Sequence, residues 1–351
     1  MRIRRSLPIL LAVVIVAAAL TLVVQLRKHA PPEPARLLPG ADAFFYLNLK
    51  WMRAANAMNQ LPPVSPVPEY GRFIEETGFQ FERDLDEAAF AVHYPASWPG
   101  GGTGGPAPEV RFSEVLVGRF QGERLTAYLR QLAQSVEDYH ALEIFSIPME
   151  GRTLRVAVLS VDSVAASNHD DPAVIRGMVD RSRRLASPFG GPAMLRRYYK
   201  YVQFTSPLWI VAHIEPSAPE FGALAAFLPK PADLVISGAY NPLHLPRRPS
   251  GLHLRAEAWT ASSADARGIA DKLNIFLAMF HAAETSAATQ GTDPDVKAFF
   301  DSLQVRHADE RAILTATIPP GFLRKVLAEG PPQTPALRAQ PQTQQPARKA
   351  H

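Results

Sequence analysis

Apolar and polar positions along this chain fall into two alternating rhythms, one of period two and one near 3.6. Phe44-Phe45-Tyr46-Leu47-Asn48-Leu49 is a dense aromatic and aliphatic run introduced by the turn residues Pro39, Gly40 and Asp42, which predicts a strand. Similar runs at 88–94, 110–120, 142–147, 153–161, 208–214, 234–240, 252–260 and 312–318 predict further strands, with Glu150-Gly151 turning one run onto the next. The helical rhythm is carried by Leu125, Tyr128, Leu129 and Leu132 within 121–135, and by Ile269, Leu273, Phe276, Leu277 and Phe280 within 264–284. Gly78 closes a predicted helix over 69–77 as its C′ residue. Asp171-Pro172 and Asp293-Pro294 each read as an N-cap followed by a first-turn proline. Shorter helices are predicted over 51–59 and 321–327. The order gives an α+β fold, a mixed or antiparallel sheet with packed helices.

Ahead of these elements lies a run with neither rhythm. Between Leu7 and Leu26 only Pro8, Thr21 and Gln25 are not aliphatic, and twenty helical residues span about 30 Å, the thickness of a bilayer core. Arg27-Lys28-His29 follow where a cleavage site of small residues would stand, so the run predicts an uncleaved transmembrane anchor. Arg2, Arg4 and Arg5 before it outnumber Arg27 and Lys28 after it, which predicts an N-in orientation with the folded part outside the cytosol. The expected organisation is a cytoplasmic N-terminus (1–6), the anchor (7–26), a stiff Pro-rich spacer (27–37), a first α+β half (38–220), a second half (221–329) and a disordered Pro/Gln-rich tail (330–351).

The two halves echo one another. Leu38-Pro39-Gly40-Ala41-Asp42 leads into the strand at 44–49, and Leu228-Pro229-Lys230-Pro231-Ala232-Asp233 leads into the strand at 234–240. Each is followed by a strand and amphipathic helix, then by two strands about a charged turn, Glu150-Gly151-Arg152 in one half and Asp309-Glu310-Arg311 in the other. Internal duplication and chance recurrence of common α+β units both account for this order. In layout, residues 37–327 resemble bacterial proteins of unknown activity that join one N-terminal anchor to two similar α+β halves. The resemblance implies a location at the cytoplasmic membrane, facing the periplasm or exterior, and brings no catalytic residues with it.

Composition changes the picture in two places. The chain has 37 Lys+Arg against 33 Asp+Glu and no cysteine. Six basic residues and one acid lie in 1–40, and three basic residues with no acid lie in 330–351, so residues 41–329 hold 28 basic and 32 acidic side chains. The folded region is slightly acidic, which excludes nucleic acid as the expected partner. Absence of cysteine removes disulfides, thiolate metal sites and thiol nucleophiles.

Little chemistry is spelled out. The run 100–105 contains a G-x-G-x-x-G match, but Pro106 and Pro108 follow where a phosphate-binding helix would begin, so it reads as a loop. None of the ten histidines falls into H-E-x-x-H spacing. His169-Asp170-Asp171 is better explained by capping than by a metal, and His213 and His253 sit within strand patterns. Glu75, Glu76, Glu82, Asp84, Asp86 and Glu87 include enough carboxylates for acid–base work, yet also straddle a turn beside Arg83. No G-x-S-x-G or S-x-x-K motif is present, and no cofactor is implied. The patch with most character contains Arg181, Arg183, Arg184, Arg196, Arg197 and Lys200 with Tyr198, Tyr199 and Tyr201 interleaved. It is the candidate contact surface for an anionic surface or an envelope protein. The expected function is a membrane-tethered extracytoplasmic binding or scaffold protein. The alternatives are an extracytoplasmic hydrolase with a site assembled from distant residues, and a structural component of an envelope assembly.

Overall fold

A computed structural model describes residues 30–54, 68–94, 110–149, 151–183, 191–203, 206–216, 226–240, 251–287 and 293–322. In chain order the first elements are α1 (Glu33–Leu37), β1 (Ala43–Asn48), α2 (Leu49–Ala54), α3 (Pro68–Thr77), α4 (Phe81–Asp84), β2 (Leu85–His93) and β3 (Arg111–Gly118). Then come α5 (Gly122–Leu132), β4 (Ser135–Tyr139), β5 (Leu142–Met149), β6 (Arg152–Val158), β7 (Ser163–Ser167), α6 (Ala173–Arg183), α7 (Ala193–Tyr198) and a 3-10 turn (Tyr199–Tyr201). The remainder comprises β8 (Leu208–Ile214), β9 (Ala232–Tyr240), β10 (Leu252–Trp259), α8 (Ser263–Ala287), α9 (Pro294–Asp301), β11 (Gln304–Ala308) and β12 (Arg311–Ile318).

The expected transmembrane helix, and with it the single-pass, signal-anchored protein with a periplasmic domain, is corrected here. Among the described residues no helix is long and apolar enough to cross a membrane. Even α8, at 25 residues, carries Asp265, Arg267, Asp271 and Lys272 in its first half, charges that a bilayer core would not accept unpaired. The run from Leu7 to Leu26 lies outside the described residues, as do the glycine loop 100–105, Arg184 and the tail 330–351. The α+β class stands for the described residues.

The strands form one 12-stranded sheet in the order β11-β12-β10-β9-β8-β1-β2-β3-β7-β6-β5-β4, every neighbouring pair antiparallel. β1 and β8 meet at its middle with Phe44 opposite Val211 and Tyr46 opposite Trp209. From this pair the meander β1-β2-β3 runs one way and β8-β9-β10 the other. By place in the sheet, β1 therefore corresponds to β8 rather than to β9, the strand that the second Leu-Pro segment precedes. The boundary expected at 220/221 falls between β8 and β9, which are hydrogen-bonded neighbours.

Alternation within the strands gives the sheet two apolar faces. On the front face Phe44, Tyr46, Ala89, Ala91, Val115, Ala157, Ala165, Trp209, Val211 and Val235 form the main core beneath α1, α6 and α7. On the back, Ala43, Ala212, Ile214, Ala232, Ala258 and Ala312 pack under Ile269 of α8, while Phe145, Val156, Val164 and Ala166 pack under Leu125 and Leu129 of α5. Local rules set the helix ends. Gly78 has φ +72° after α3 and donates to Ile74 O at 2.8 Å, and Asp171 and Asp293 accept from Ala173 N and Asp295 N at 2.8 and 2.9 Å.

Three features depart from the sequence pattern. Residues 33–37, expected as the end of a spacer, form α1, whose Pro34, Ala35 and Leu37 are buried. Proline is tolerated there because first-turn N–H groups have no helical acceptor. Arg181 Nε on α6 donates to Leu37 O at 2.7 Å, fixing the far end of α1. In α8, Ile269 is buried as its spacing predicts, but Ile275, Phe276 and Met279 are exposed, Phe276 resting edge-on against Phe227. Finally, β4 and β7 are strands that the pattern does not announce.

Candidate functional site

The sequence of β1 places Tyr46 inward on the front face, and pairing then determines its neighbours. Asn48 lies opposite Glu87, Glu87 opposite Val117, and Val117 opposite Ser163, so polar groups from three strands gather around Val117 at one end of the front face. α1 roofs this end. The result is a cleft of about 420 Å³ lined by Pro32, Glu33, Pro34 and Leu37 from α1 and its approach, by Tyr46, Glu87 and Val117, and by Ser160, Asp162 and Ser163 at the β6–β7 turn.

Tyr46 is 4% exposed and stacks on Trp209 at a centroid distance of 5.4 Å. Its hydroxyl donates to Glu87 Oε2 at 2.8 Å and accepts from Asn48 Nδ2 at 3.3 Å. Burial, together with the charge of Glu87 and the hydrogen bond to it, raises the Tyr46 pKa far above that of an ordinary phenol. Tyr46 is therefore a fixed neutral donor that holds Glu87 in place. Asp162 accepts from Ser160 Oγ at 2.6 Å, and Glu33 and Asp162 are exposed at the rim. Ser163 Oγ is buried and has no hydrogen-bond partner among the described residues. No Lys, Arg or His stands among the lining residues.

At the opposite end of the central strands a second polar group forms by the same cross-strand logic. Asp42, immediately before β1, is bonded on both sides: its backbone N–H donates to Val92 O at 3.0 Å and its carbonyl accepts from His213 N at 2.7 Å. Its carboxylate accepts from Tyr94 N at 2.8 Å. His213 Nδ1 lies 2.8 Å from Asp233 Oδ1, and Tyr198 OH also donates to Asp233. Burial opposes the charge on Asp233, but the hydrogen bonds from His213 and Tyr198 outweigh it and hold the carboxyl below its usual range. The hydrogen bond to Asp233 correspondingly raises His213, and burial followed by its own hydrogen bond to Asp233 pushes Tyr198 up to about 12. On the other flank of Asp42, His93 Nε2 sits 3.0 Å from Ser113 Oγ, which is 2.9 Å from Ser167 Oγ. Burial, reinforced by nearby His169, lowers His93 to about 4. The two histidines are thus shifted in opposite directions. Among the described residues no group of His, Asp and Glu is arranged to hold a metal ion.

The basic and aromatic residues singled out in the sequence do not form one surface. Tyr198 is buried on Asp233, Tyr199 packs edge-on to Trp209 at 5.3 Å, and Tyr201 lies 4.2 Å from Trp259, so all three rings fasten α7 and the 3-10 turn to the sheet. Arg181 is turned into the fold by Leu37 O, and Arg183 donates to His140 O. Arg196, Arg197 and Lys200 remain exposed. Of the six clustered acids, Glu82 accepts from Tyr70 OH at 2.7 Å, Asp84 pairs with Arg83 and Arg119, and Asp86 pairs with Arg53. Only Glu87 reaches the cleft. Its selection follows from pairing register, a long-range property with no local signature.

No family model matches the chain, and no curated protein matches it. Among solved structures it is similar to crystal forms I, III and IV of TP0453, with TM-scores of 0.40, 0.44 and 0.43 and identities of 9%, 9% and 10%. The matches cover 86%, 85% and 85% of this chain and 98%, 99% and 97% of those chains. Likeness at this level assigns no activity to the chain.

Proposed function

We propose that this protein is a binding protein that takes a small ligand in the cleft beneath α1. The observation that carries this reading is the cleft itself, whose volume of about 420 Å³ falls in the range of small-molecule sites. Its walls are preformed: Tyr46 is locked between Trp209 and Glu87, and Pro32 and Pro34 stiffen the roof. Preformed walls favour binding because little ordering entropy remains to be lost when a ligand arrives. A binding role is favoured over proton-transfer catalysis by the state of Tyr46. A phenol held this firmly neutral by burial cannot serve as a base near pH 7, and its proton already points at Glu87.

The test is ligand-observed NMR with a library of small neutral, anionic and cationic fragments on the full chain and on Val117→Trp, which fills the cleft. Fragments that bind the parent and lose at least about tenfold affinity in the variant, with its circular dichroism unchanged, are the expected result. Equal binding to both proteins, or no binding to either, would overturn the reading.

A further inference from the structure

We infer that the ligand of this cleft is an organic cation, a primary ammonium group carried on a short aliphatic stem. The inference rests on the cleft being a ligand site at all, and adds the ligand's chemistry. Three carboxylates, Glu33, Glu87 and Asp162, come from three different elements and meet at one cavity. None of them has an ion-pair partner among the described residues, although the acids just before Glu87 do. Asp84 pairs with Arg83 and Arg119, and Asp86 with Arg53. Mutual repulsion of like charges is tolerated at the rim because Glu33 and Asp162 face water. It becomes favourable when a cation enters.

Acidity alone would be satisfied by solvent. The cavity adds hydroxyl groups in the wall behind the carboxylates. Ser163 Oγ lies buried in the lining without a partner, and the Tyr46 hydroxyl is held beside Glu87 in a residue that is 4% exposed. An ammonium has three N–H donors and no acceptor. It matches the three acceptor-only carboxylates of the lining, which would repel an anion. The aliphatic part is provided for by Leu37, Val117 and the rings of Pro32 and Pro34 in the same lining. A free alkylamine and a lysine side chain of a peptide share this chemistry.

The experiment compares hexylamine, hexan-1-ol and hexanoate, with Nα-acetyl-lysine amide as the peptide-borne form, against the full-length protein by NMR titration at pH 7. Hexylamine is expected to bind at least about tenfold more tightly than hexan-1-ol, hexanoate not at all, and the advantage to shrink as salt is raised. Glu33→Gln with Asp162→Asn, both rim positions whose side chains hold no buried partner, should remove most of that preference while leaving the melting temperature unchanged. Glu87→Gln should do the same and keeps the Tyr46 hydrogen bond. Tighter binding of the lysine amide than of hexylamine would identify a peptide as the source, and the reverse order a free amine. If hexan-1-ol binds in the cleft as well as hexylamine, the cation is wrong and the binding site survives. If no probe is displaced by Val117→Trp, both fail.

Discussion

His213 and His93 lie on either side of Asp42 and respond to pH in opposite senses. His213 has a folded-state pKa raised above its unfolded value, so its pairing with Asp233 stabilises the fold fully below about pH 6.5 and is lost as pH rises through the folded pKa. His93 is lowered to about 4, so between about 6.5 and 4 the unfolded chain binds a proton that the folded chain refuses, and stability falls as pH falls. Melting curves from pH 4 to 8.5 separate the two. His213→Gln should lose stability relative to the parent at pH 5.5 and approach it at pH 8.5, whereas His93→Gln should flatten the acid limb. Parallel curves for parent and both variants would refute the assignment. In the sequence His213 reads as an ordinary strand residue and His93 is not singled out, because Asp233 and Ser113 are brought to them only by cross-strand register. Glu87 is hidden in the same way, one acid among six until Tyr46 is placed opposite its strand.

The element that makes the cleft is α1, and five residues are too few to be a stable helix alone. It exists because Ala35, Leu37 and Leu38 are buried against the front-face core. Replacing Leu38, 1% exposed, with alanine should destabilise the protein by about 2–5 kcal/mol. It should also weaken any ligand of the cleft, measured by urea unfolding and by titration of the same probe. A stability change below about 0.5 kcal/mol would mean that α1 is not docked against the core. Amphipathic spacing and capping residues announce α3, α5, α6 and α9, since these signals are local. A Pro-rich lead-in conceals α1, whose helicity is imposed by tertiary contact. β4 (SVEDY) is hidden by its charges, which suit an exposed sheet edge. β7 (SVAAS) is hidden by its shortness and small side chains, which suit burial of Val164, Ala165, Ala166 and Ser167 between neighbours.

At the scale of the molecule, continuous hydrogen bonding from β11 to β4 couples the described elements into one sheet. Unfolding in urea followed by tryptophan fluorescence and by far-ultraviolet circular dichroism should therefore give coincident transitions, and two separated midpoints would indicate independent halves. The α+β class was legible from strand and helix periodicity, but strand order was not, because the central pairing joins segments far apart in the chain. That pairing also shapes biosynthesis. β1 can pair with β2 after roughly 40 further residues, yet its other edge waits for β8, roughly 160 residues later, which at ribosomal speeds is an interval of roughly ten to thirty seconds. During that interval Phe44 and Tyr46 stand on a half-paired strand, so the nascent protein passes through a stage in which shielding by a chaperone would have its greatest effect.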